Sequence, residues 1–447
     1  ALRDELMGLL FRGIVWFGVY VLLVLLPLGL ALLRDPIDMA RAWSLEFAVA
    51  IGLIAFAILA FEFALVSRLR SASEPFGTDS LMQFHRQMGV VGMVFLLLHV
   101  LLLVPHGVGL AMLNPLGGGT ASQTGAIAFW ALLLLGVTSA SRTRLRLRYE
   151  SWQWLHALTA VVVGGAALLH MLAVNHYLSN GVLRTTLLVY TVAFIALLLR
   201  YRVVRPLHLA RHPWKVIRNE SIGGDTRSLQ IRPVGHKGLD FQPGQFVWLA
   251  TGRRALTAQQ HPITIASSAE TGDPADIELA IKAFGDWSRD VVPKLTVGTR
   301  VWLDGPYGAL TPDRFPGQGF VLIAGGIGIT PMLSILRTMR DRGDVRPVLL
   351  VYAADRPERM VYQHELDALE KELNLRTVQV FESPPPEWQG ERGLVSVALL
   401  RRHLPQHFKH YQFFVCGPAA MMDILEDQLL ELGVPAAQIC TERFNMG

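Results

Sequence analysis

Four histidines occur in two apolar stretches of the sequence, and within each stretch the two histidines are fourteen residues apart. The first pair is His85 and His99, and the second is His156 and His170. On an α-helix, fourteen steps of about 100° end about 40° short of four turns, so both members of a pair lie on one face. Their rise of roughly 21 Å covers most of the apolar thickness of a bilayer. The spacing therefore predicts two levels of imidazoles within a membrane.

Facing imidazoles at the same depth can bind a low-spin haem iron from both sides. His85 with His156, and His99 with His170, would then hold two haems at two depths. Both haems would be b-type, held by ligation and packing, because the sequence has no Cys-x-x-Cys-His attachment motif. The alternative for each histidine is an interhelical hydrogen bond or an interfacial position. Two equal spacings on two helices favour haem.

The composition places part of the chain in lipid. Of its 447 residues, 51% are hydrophobic and only 17% are charged, which lies outside the range of ordinary soluble proteins. Six apolar segments approach or exceed the ~18–20 residues that span a bilayer. They occupy about residues 11–33, 43–66, 84–104, 124–141, 153–174 and 182–203. The first segment is interpreted as a retained helix and not as a signal peptide.

Positive charges in the short connections predict the orientation of these segments. Arginines cluster after segments 2, 4 and 6, whereas residues 105–123 and 175–181 contain no Lys or Arg. The positive-inside rule then predicts a multi-pass protein of the plasma (inner) membrane with both termini in the cytosol. His85 and His156 would lie near the cytosol. The formal charge of +5 forms no basic tract with interleaved aromatics, so membrane lipid is an expected partner and nucleic acid is not.

Three further polar residues lie at the edges of the apolar segments. Glu62, near the cytosolic end of segment 2, is either a functional group or an ion-pair partner of Arg68 or Arg86, and the ion pair is the preferred interpretation. His106 and His176 would lie at the outer edge. There they could shape a site for an electron acceptor, although interfacial histidines are also common.

Beyond Arg205 the sequence changes to short β-rich runs and Gly/Pro turns, which predicts a soluble half. Residues 216–313 suit a small antiparallel barrel. Its motif HPITIASS, residues 261–268, predicts an alternating strand whose backbone groups and hydroxyls could face the edge of a flavin. In GDWS, residues 285–288, Ser288 has the features of a helix N-cap, and a helix start would offer amide hydrogens to a pyrophosphate. Each motif alone could also be an ordinary strand or turn.

A nucleotide-binding pattern follows an apolar strand at residues 320–323. In AGGIGITP, residues 324–331, three glycines allow a tight turn and close approach of a pyrophosphate to the backbone. Thr330 is predicted to cap the next helix, with Pro331 at its favoured first position. The alternation of strands and helices from here onward predicts a parallel doubly wound sheet.

Two side chains near strand ends of this sheet have two interpretations each. Arg356 could meet a 2′-phosphate or be a solvated turn residue, so NADPH and NADH both stay open as electron donors. Cys416 could pack beside a nicotinamide or be a small buried hydrophobe.

The motifs occur together in an order that is typical of one family. The His-x13-His pairs, HPITIASS, GDWS, AGGIGITP and FFVCGP make the chain resemble a compact bacterial member of the NADPH oxidase and ferric reductase transmembrane superfamily, over roughly residues 43–447. The resemblance implies a six-helix transmembrane haem bundle, residues 1–210, fused to a ferredoxin–NADP reductase-like module. That module would comprise an antiparallel FAD-binding β-barrel, residues 211–315, and an α/β doubly wound NAD(P)H-binding domain, residues 316–447. No obligatory regulatory subunit is expected.

The resemblance also implies roles for individual residues. The four membrane histidines match the ligands of the haem iron, and Thr264 has the position that usually faces the flavin N5. Thr264, Cys416 and Phe444 are the expected catalytic residues; stacking of Phe444 on the flavin is a hypothesis, because it lies three residues before the end. The expected cofactor-binding residues of the barrel are His261, Pro262, Ile263, Thr264, Lys282, Gly285, Trp287 and Ser288. Those of the nucleotide half are Gly325, Gly326, Gly328, Thr330, Pro331, Arg356, Cys416, Gly417 and Pro418.

The predicted function is transmembrane NAD(P)H oxidation. NAD(P)H would give a hydride to FAD, which would pass single electrons to the inner and then the outer haem, and O2 would be reduced to superoxide. One alternative is a ferric-chelate reductase that uses the same path. Another is an electron-donating module for a partner redox protein. The few cations in the outer loops favour O2.

Overall fold

A computed structural model describes residues 2–34, 42–67, 76–106, 110–147, 149–179, 181–252, 260–270, 272, 275–315 and 317–443. Residues 11–205 form one compact unit, and the chain from residue 206 onward forms the body of a second. The first unit is helical. The second contains two β-sheets and the helices that connect their strands.

Six helices of the described chain are long and apolar enough to cross a membrane, which confirms the six predicted spans. Most of them begin a few residues before the predicted apolar segment. Hydropathy marks only the part of a helix that suits lipid, whereas backbone hydrogen bonds continue through polar residues. The helices are α1 Leu2–Arg34, α2 Trp43–Val66, α3 Thr78–Leu103, α4 Thr120–Ala140, α5 Tyr149–Val174 and α6 Gly181–Leu199.

Short helical stretches extend two of these spans. After α3 the chain forms two 3₁₀ turns, Val104–His106 and Leu110–Leu113. The last turns of α6 widen into a π-helical stretch, Arg200–Val204, which leads into α7, Arg205–Ala210.

Two helix hairpins make up most of the bundle. α2 packs along α3, and α4 packs along α5, over much of their lengths, whereas α3 meets α4 and α2 meets α5 over shorter stretches. Leucine and valine side chains such as Leu101, Leu158 and Val192 are more than half exposed on the outside of the bundle. Because every backbone group of a helix is satisfied internally, such an apolar exterior suits lipid.

The second unit begins with a six-stranded antiparallel barrel, as predicted. Its strands pair in the order β4-β3-β6-β1-β2-β5, and a bridge between Ile265 and Leu279 of β5 closes the sheet on itself. The predicted strand at residues 261–268 is too long, because regular pairing ends at Thr264. The strands are β1 Trp214–Gly223, β2 Thr226–Pro233, β3 Phe246–Thr251, β4 Gln260–Thr264, β5 Ile277–Lys282 and β6 Arg300–Tyr307. A π-helical turn, Trp287–Val291, and a 3₁₀ turn, Val292–Lys294, lie between β5 and β6.

The parallel sheet of the second unit has strand order β10-β9-β8-β7-β11-β12. Its first strand, β7, therefore lies beside β11, and the connections on its two sides run in opposite directions. In doubly wound sheets such a switch point opens the crevice where nucleotides bind. The strands are β7 Phe320–Gly325, β8 Val348–Ala354, β9 Leu375–Phe381, β10 Glu391–Arg392, β11 Gln412–Cys416 and β12 Ile439–Thr441.

Helices connect these strands, and 3₁₀ turns lie at several strand ends. The helices are α8 Ile329–Arg342, α9 Gln363–Glu372, α10 Val397–His403 and α11 Ala419–Glu431. The 3₁₀ turns are Gly326–Gly328, Pro357–Arg359, Phe408–His410 and Ala436–Gln438.

Candidate cofactor sites

The ring of His99 is oriented by the neighbouring helix α2. Its Nδ1 lies 2.7 Å from the Ala48 carbonyl oxygen. A carbonyl only accepts hydrogen bonds, so Nδ1 carries the hydrogen and Nε2 keeps its lone pair. The ring can approach this closely because residue 52 is glycine: a Cβ there would lie 2.9 Å from Nδ1.

His170 is oriented in the same way by α4. Its Nδ1 lies 2.7 Å from the Ala121 carbonyl oxygen, and a Cβ at Gly125 would lie 2.8 Å from Nδ1. Both supporting helices thus use an Ala-x-x-x-Gly sequence, in which the alanine supplies the acceptor and the glycine supplies the space. This repeated pattern was a signal in the sequence that the reasoning from histidine spacing missed.

His85 and His156 face each other at the second level of the bundle. Their ring centres are 6.3 Å apart. Two imidazoles on opposite sides of one metal ion have centres roughly 6 Å apart, because each metal–nitrogen bond is about 2.0–2.1 Å. The spacing of this pair therefore fits a shared haem iron.

The partners at Nδ1 of this second pair differ from those of the first. Ser139 Oγ donates to the Leu135 carbonyl at 2.7 Å and lies 3.1 Å from His156 Nδ1, so towards the imidazole it accepts. The Glu62 carboxylate contacts His85 Nδ1. Three rings thus hydrogen-bond at Nδ1 and the fourth meets a carboxylate there, which leaves Nε2 as the ligand atom; metal-binding histidines usually show this arrangement.

Glu62 contacts His85 and not Arg86, one of the two arginines predicted as its partner. Arg86 follows His85 directly, and a step of about 100° around the helix turns it away from the face that His85 presents to α2. Arg86 is accordingly exposed, and His85 takes its place beside Glu62. Arg68 lies outside the described residues.

The two histidines predicted at the other end of the bundle both meet the start of α2. His106 Nε2 lies 2.8 Å from Ser44 Oγ. His176 Nε2 lies 3.7 Å from a Glu46 carboxylate oxygen, which also accepts a hydrogen bond from the Tyr177 hydroxyl. Together they form a polar cluster at the end of the bundle nearer to His99 and His170.

The flavin motif of the barrel brings an aromatic ring onto β4. His261 stacks on Trp287 with ring centres 3.8 Å apart and planes 15° from parallel. The Trp287 Nε1–H donates to Thr251 Oγ1 at 2.7 Å, which fixes the indole. Thr264 is buried at the end of β4, whereas Pro262 and Ile263 are half-buried beside it. His261, Trp287 and Thr251 thus lie together at one end of the β3–β4 pair, and Thr264, paired with Phe246, lies at its other end.

The predicted cap at Ser288 is wrong in its geometry. The helical turn begins at Trp287, so Ser288 lies within it. Its Oγ accepts hydrogen bonds from the backbone N–H groups of Phe284 and Gly285, at 2.8 and 2.9 Å. The side chain therefore holds the loop that precedes the turn, because a hydroxyl competes readily for nearby backbone groups.

The glycine-rich loop after β7 packs directly against the loop after β11. A Cβ at Gly328 would lie 2.1 Å from the Cys416 carbonyl oxygen, and one at Gly325 would lie 2.8 Å from Pro418 Cδ. Gly417 is similarly close to Gly325. Only glycine fits at these contacts, so the two predicted nucleotide motifs do meet at the switch point of the sheet.

Two details of the nucleotide loop differ from the prediction. Gly328, and not Thr330, is the N-cap of α8, and the Thr330 hydroxyl instead donates to the Ile327 carbonyl at 2.7 Å. Pro331 consequently lies at the third helical position, where its missing N–H still costs nothing. The helix begins at Ile329, earlier than predicted and directly after the 3₁₀ turn Gly326–Gly328, and no residue type in the motif signals such a turn.

The basic side chain of Lys282 borders this loop, and a second basic side chain, Arg356, lines a cavity after β8. Gly326 has φ +54°, and a Cβ there would lie 3.5 Å from Lys282 Nζ at the end of β5. Arg356 follows β8 and lines a cavity of about 370 Å³ together with residues that follow β9. The cavity is lined by Arg356, Pro357, Glu358, Ser383, Pro384 and Pro385.

A buried ionic cluster, absent from the sequence predictions, joins the barrel to the parallel sheet. Arg337 of α8 lies 2.8 Å from Glu278 of β5 and 2.6 Å from Glu365 of α9, and the Tyr362 hydroxyl donates to Glu278 at 2.6 Å. Burial alone would raise the pKa of Glu278, but Arg337 and the hydrogen bonds from Ser228 and Tyr362 hold this pKa below its ordinary value. The residues of this cluster are remote from one another in the sequence, so no local sequence pattern predicts it.

Phe444, the third expected catalytic residue, lies outside the described residues. Among the residues that the structure does describe, no three His, Cys, Asp or Glu side chains converge on a metal-ion site. The paired histidines, which would supply two ligands to each iron, are a different arrangement.

Three known families match successive parts of the chain. Residues 51–167 match the ferric reductase like transmembrane component, residues 214–311 match an FAD-binding domain, and residues 322–427 match the oxidoreductase NAD-binding domain. The fold and these matches define a six-helix transmembrane bundle fused to a ferredoxin–NADP reductase-like module, which is a membrane-bound oxidoreductase. The chain belongs to the NADPH oxidase and ferric reductase transmembrane superfamily, as the order of its motifs predicts.

Two reductases are similar to about half of this chain. The reductase component of propane 2-monooxygenase from Rhodococcus jostii is 30% identical over 238 residues, which are 52% of this chain and 62% of the relative. NADH-cytochrome b5 reductase 1 from Aspergillus terreus is 32% identical over 222 residues, 46% of this chain and 72% of the relative. The chain thus spans less than two thirds of the first of these proteins.

Among solved structures, a ferredoxin NADP+ reductase from Neisseria gonorrhoeae with bound FAD and NADP is similar over 52% of this chain and 97% of its own. The sequence identity is 23% and the TM-score is 0.45.

Proposed function

We propose that this chain is a transmembrane NAD(P)H oxidase that takes electrons from cytosolic NADPH or NADH and delivers them to O2 on the outer side, giving superoxide. The observation that carries the proposal is what lies at Nδ1 of the four intramembrane histidines: a hydrogen bond for His99, His156 and His170, and the Glu62 carboxylate for His85. Each ring is thereby left with a lone pair at Nε2, as haem ligation requires. The proposed domains are residues 1–210 for the bundle, 211–315 for FAD and 316–447 for NAD(P)H.

When bound, FAD takes up two electrons as a hydride and releases them singly, and two b-type haems carry single electrons through the apolar layer. The protein positions these groups and excludes water from them. His85 with His156 would hold the inner haem, and His99 with His170 the outer haem. Helix pairs hold the imidazoles rigidly, which suits ligands that must keep their geometry in both oxidation states.

The barrel would position the flavin. β4 from His261 to Thr264 would line it, with Thr264 nearest to N5, and the stacked Trp287 would cover one side of the site. Ser288 holds the preceding loop closed through the amides of Phe284 and Gly285, and Ser288 itself is proposed to contact the FAD phosphates. Phe444 is proposed to stack on the isoalloxazine.

The switch point of the parallel sheet would bind the nucleotide. Gly325, Gly326 and Gly328 let the pyrophosphate approach the backbone, with Thr330 and Pro331 in the first turn of the helix behind them. Lys282 would add a positive charge beside this loop. Cys416, Gly417 and Pro418 would flank the nicotinamide, and Arg356 would meet a 2′-phosphate in its cavity.

The orientation follows from the placement of positive charge. Arg142, Arg144 and Arg146 follow α4, and Arg200 and Arg202 follow α6. Short loops that are rich in arginine stay in the cytosol. This supports a multi-pass protein of the plasma (inner) membrane with cytosolic termini and with lipid around the bundle.

The outer end of the bundle favours O2 over a charged acceptor. Its polar cluster contains the Glu46 carboxylate, and residues 105–123 and 175–181 supply no Lys or Arg. Arg184 is exposed in the first turn of α6, just after the second segment; an anionic ferric chelate would find little counter-charge besides it there, whereas O2 needs none. A ferric-chelate reductase remains the second candidate, because the matched membrane family is described as ferric reductase like.

The test is NADPH-driven electron transfer by purified chain in detergent, loaded with FAD and haem. Superoxide is measured as cytochrome c reduction that superoxide dismutase abolishes, with and without ferric chelate. We expect dismutase-sensitive reduction without any added partner protein. The second candidate would be established if the chain reduced ferric chelate equally fast in the presence and absence of O2, and produced no superoxide when O2 was present. Oxidation of NADPH only when a partner redox protein is added would indicate an electron-donating module.

A further inference from the structure

The two haem levels of the proposed function differ in the charge that supports their ligands. At the outer level both imidazoles donate to neutral backbone carbonyls, those of Ala48 and Ala121. At the inner level one imidazole donates to a hydroxyl, Ser139. The other, His85, meets a carboxylate. One of the four ligands therefore has a partner that can carry a full negative charge.

Glu62 has few other ways to satisfy its charge. Its residue is only 6% exposed, in the interior part of α2. Among the described residues no lysine or arginine pairs with it; its carboxylate contacts His85 Nδ1, and neither of its oxygens has a hydrogen-bond partner elsewhere. A buried carboxylate is costly unless it is hydrogen-bonded or paired. The Nδ1–H of His85 is the group placed to stabilise it.

A carboxylate at Nδ1 changes what the imidazole does at Nε2. It draws the Nδ1 hydrogen towards itself, so the ring becomes a stronger electron donor to a metal. A stronger donor and a nearby negative charge both stabilise ferric over ferrous iron, and the reduction potential falls. A neutral carbonyl or hydroxyl has a weaker effect of the same kind.

We propose that Glu62 is a positioning residue for His85 whose negative charge keeps the reduction potential of the inner haem below that of the outer haem. This inference rests on the proposed haem ligation. Electrons that enter from the cytosolic side would then move to the outer haem with a fall in free energy. The carboxylate would thus favour electron transfer from the inner to the outer haem without binding either iron.

The experiment is a redox titration of the haem-loaded full chain, followed by its α-band, for the wild type and Glu62→Gln. The amide keeps an acceptor oxygen of the same reach and removes the charge. Each haem is reduced in a one-electron step, and we expect one of these two steps to move to higher potential while the other stays in place. A tenfold change in how the electron is distributed between the two haems corresponds to a shift of about 59 mV. Equal potentials in the wild type and the variant would overturn the inference.

A matched control removes the neutral partner at the same level. Ser139→Ala deletes the acceptor of His156 without a change of charge, so we expect a smaller shift than for Glu62→Gln. A shift as large as that of Glu62→Gln would mean that any lost hydrogen bond, and not the carboxylate, sets the potential.

A second measurement does not depend on the variant taking up haem. In the ferric wild-type protein, near-infrared magnetic circular dichroism reports the donor strength of axial imidazoles. We expect two charge-transfer bands, one of them at shorter wavelength. A single band for two equivalent haems would overturn the inference. Absence of any bis-imidazole spectrum from the wild type would instead overturn the proposed function.

Discussion

The bundle and the reductase module build their candidate sites from different parts of the chain. In the bundle each proposed ligand is a single imidazole, held by one acceptor on a neighbouring helix, as His99 is by Ala48. In the module the candidate site consists mainly of backbone, where loops such as Gly325–Gly328 pack without side chains in the way. From this difference we expect that replacing one side chain in the bundle abolishes cofactor binding at that site, whereas replacing one side chain in the module weakens binding only partly.

The largest expected effect tests the all-or-none side of this comparison. His170→Ala removes one of the proposed axial ligands, so haem content should fall from two per chain to one and superoxide production should cease. The loss of affinity should exceed the roughly 10–100-fold that loss of a supporting group costs. Pyridine haemochrome measurement of the purified protein gives the haem content. His106→Ala, which removes a histidine bonded to Ser44, should keep both haems; equal haem loss in both variants would contradict the ligand assignment.

A smaller effect is expected in the ionic cluster of the module. Glu278→Gln leaves Glu365 as the remaining carboxylate beside Arg337 and should lower the free energy of unfolding by roughly 2–3 kcal/mol. Tryptophan fluorescence during denaturant unfolding of the full chain measures this value. Glu270→Gln, at the exposed pair with Arg342, is the control and should cost less than about 1 kcal/mol.

The loss of stability caused by Glu278→Gln should depend on pH. Because the pKa of Glu278 lies below its ordinary value, its stabilising contribution is complete above the ordinary carboxyl range and is lost as the pH falls through the lowered pKa. The wild type and Glu278→Gln should therefore become more alike in acid. If the difference in unfolding free energy between the two proteins grew as the pH fell, the pKa of Glu278 would be raised and not lowered.

The glycine beside His99 tests whether space, and not only chemistry, defines the bundle site. Gly52→Ala places a Cβ where it would lie 2.9 Å from Nδ1, so the ring must leave the Ala48 carbonyl. We expect about tenfold weaker haem binding at that level, measured by haem titration of the apoprotein. Gly18→Ala is the control, since a Cβ at Gly18 meets nothing within 4 Å. Equal affinity in the two variants would contradict the role of the Ala-x-x-x-Gly pattern.

The smallest expected effect sharpens the graded side of the comparison. Arg356→Ala should raise the KM for NADPH about fivefold, or about 1 kcal/mol, because an exposed charge contributes little. The KM for NADH, which lacks the 2′-phosphate, should stay the same and serves as the internal control. A parallel rise for both donors would remove Arg356 from phosphate recognition.

The sequence predicted features of the molecule that depend on composition and period. Six spans follow from the length of apolar runs, and the two histidine levels follow from fourteen-residue spacing, because both are properties of one helix. Glu62 and Ser139 could not be assigned as partners in this way, since a contact between helices depends on how each is rotated. The caps assigned to Ser288 and Thr330 failed for a related reason. A cap requires a particular backbone conformation at one residue, which hydroxyl-containing residues adopt only in some contexts.

The two helix hairpins of the bundle touch each other over short stretches only, and each carries two of the four histidines. Under the proposed ligation, each iron would take one bond from the α2–α3 hairpin and one from the α4–α5 hairpin. Porphyrin insertion would then cross-link the halves of the bundle and become a step in its assembly. Cells starved of porphyrin should therefore accumulate less of the intact protein in their membranes, in addition to losing its haem absorbance.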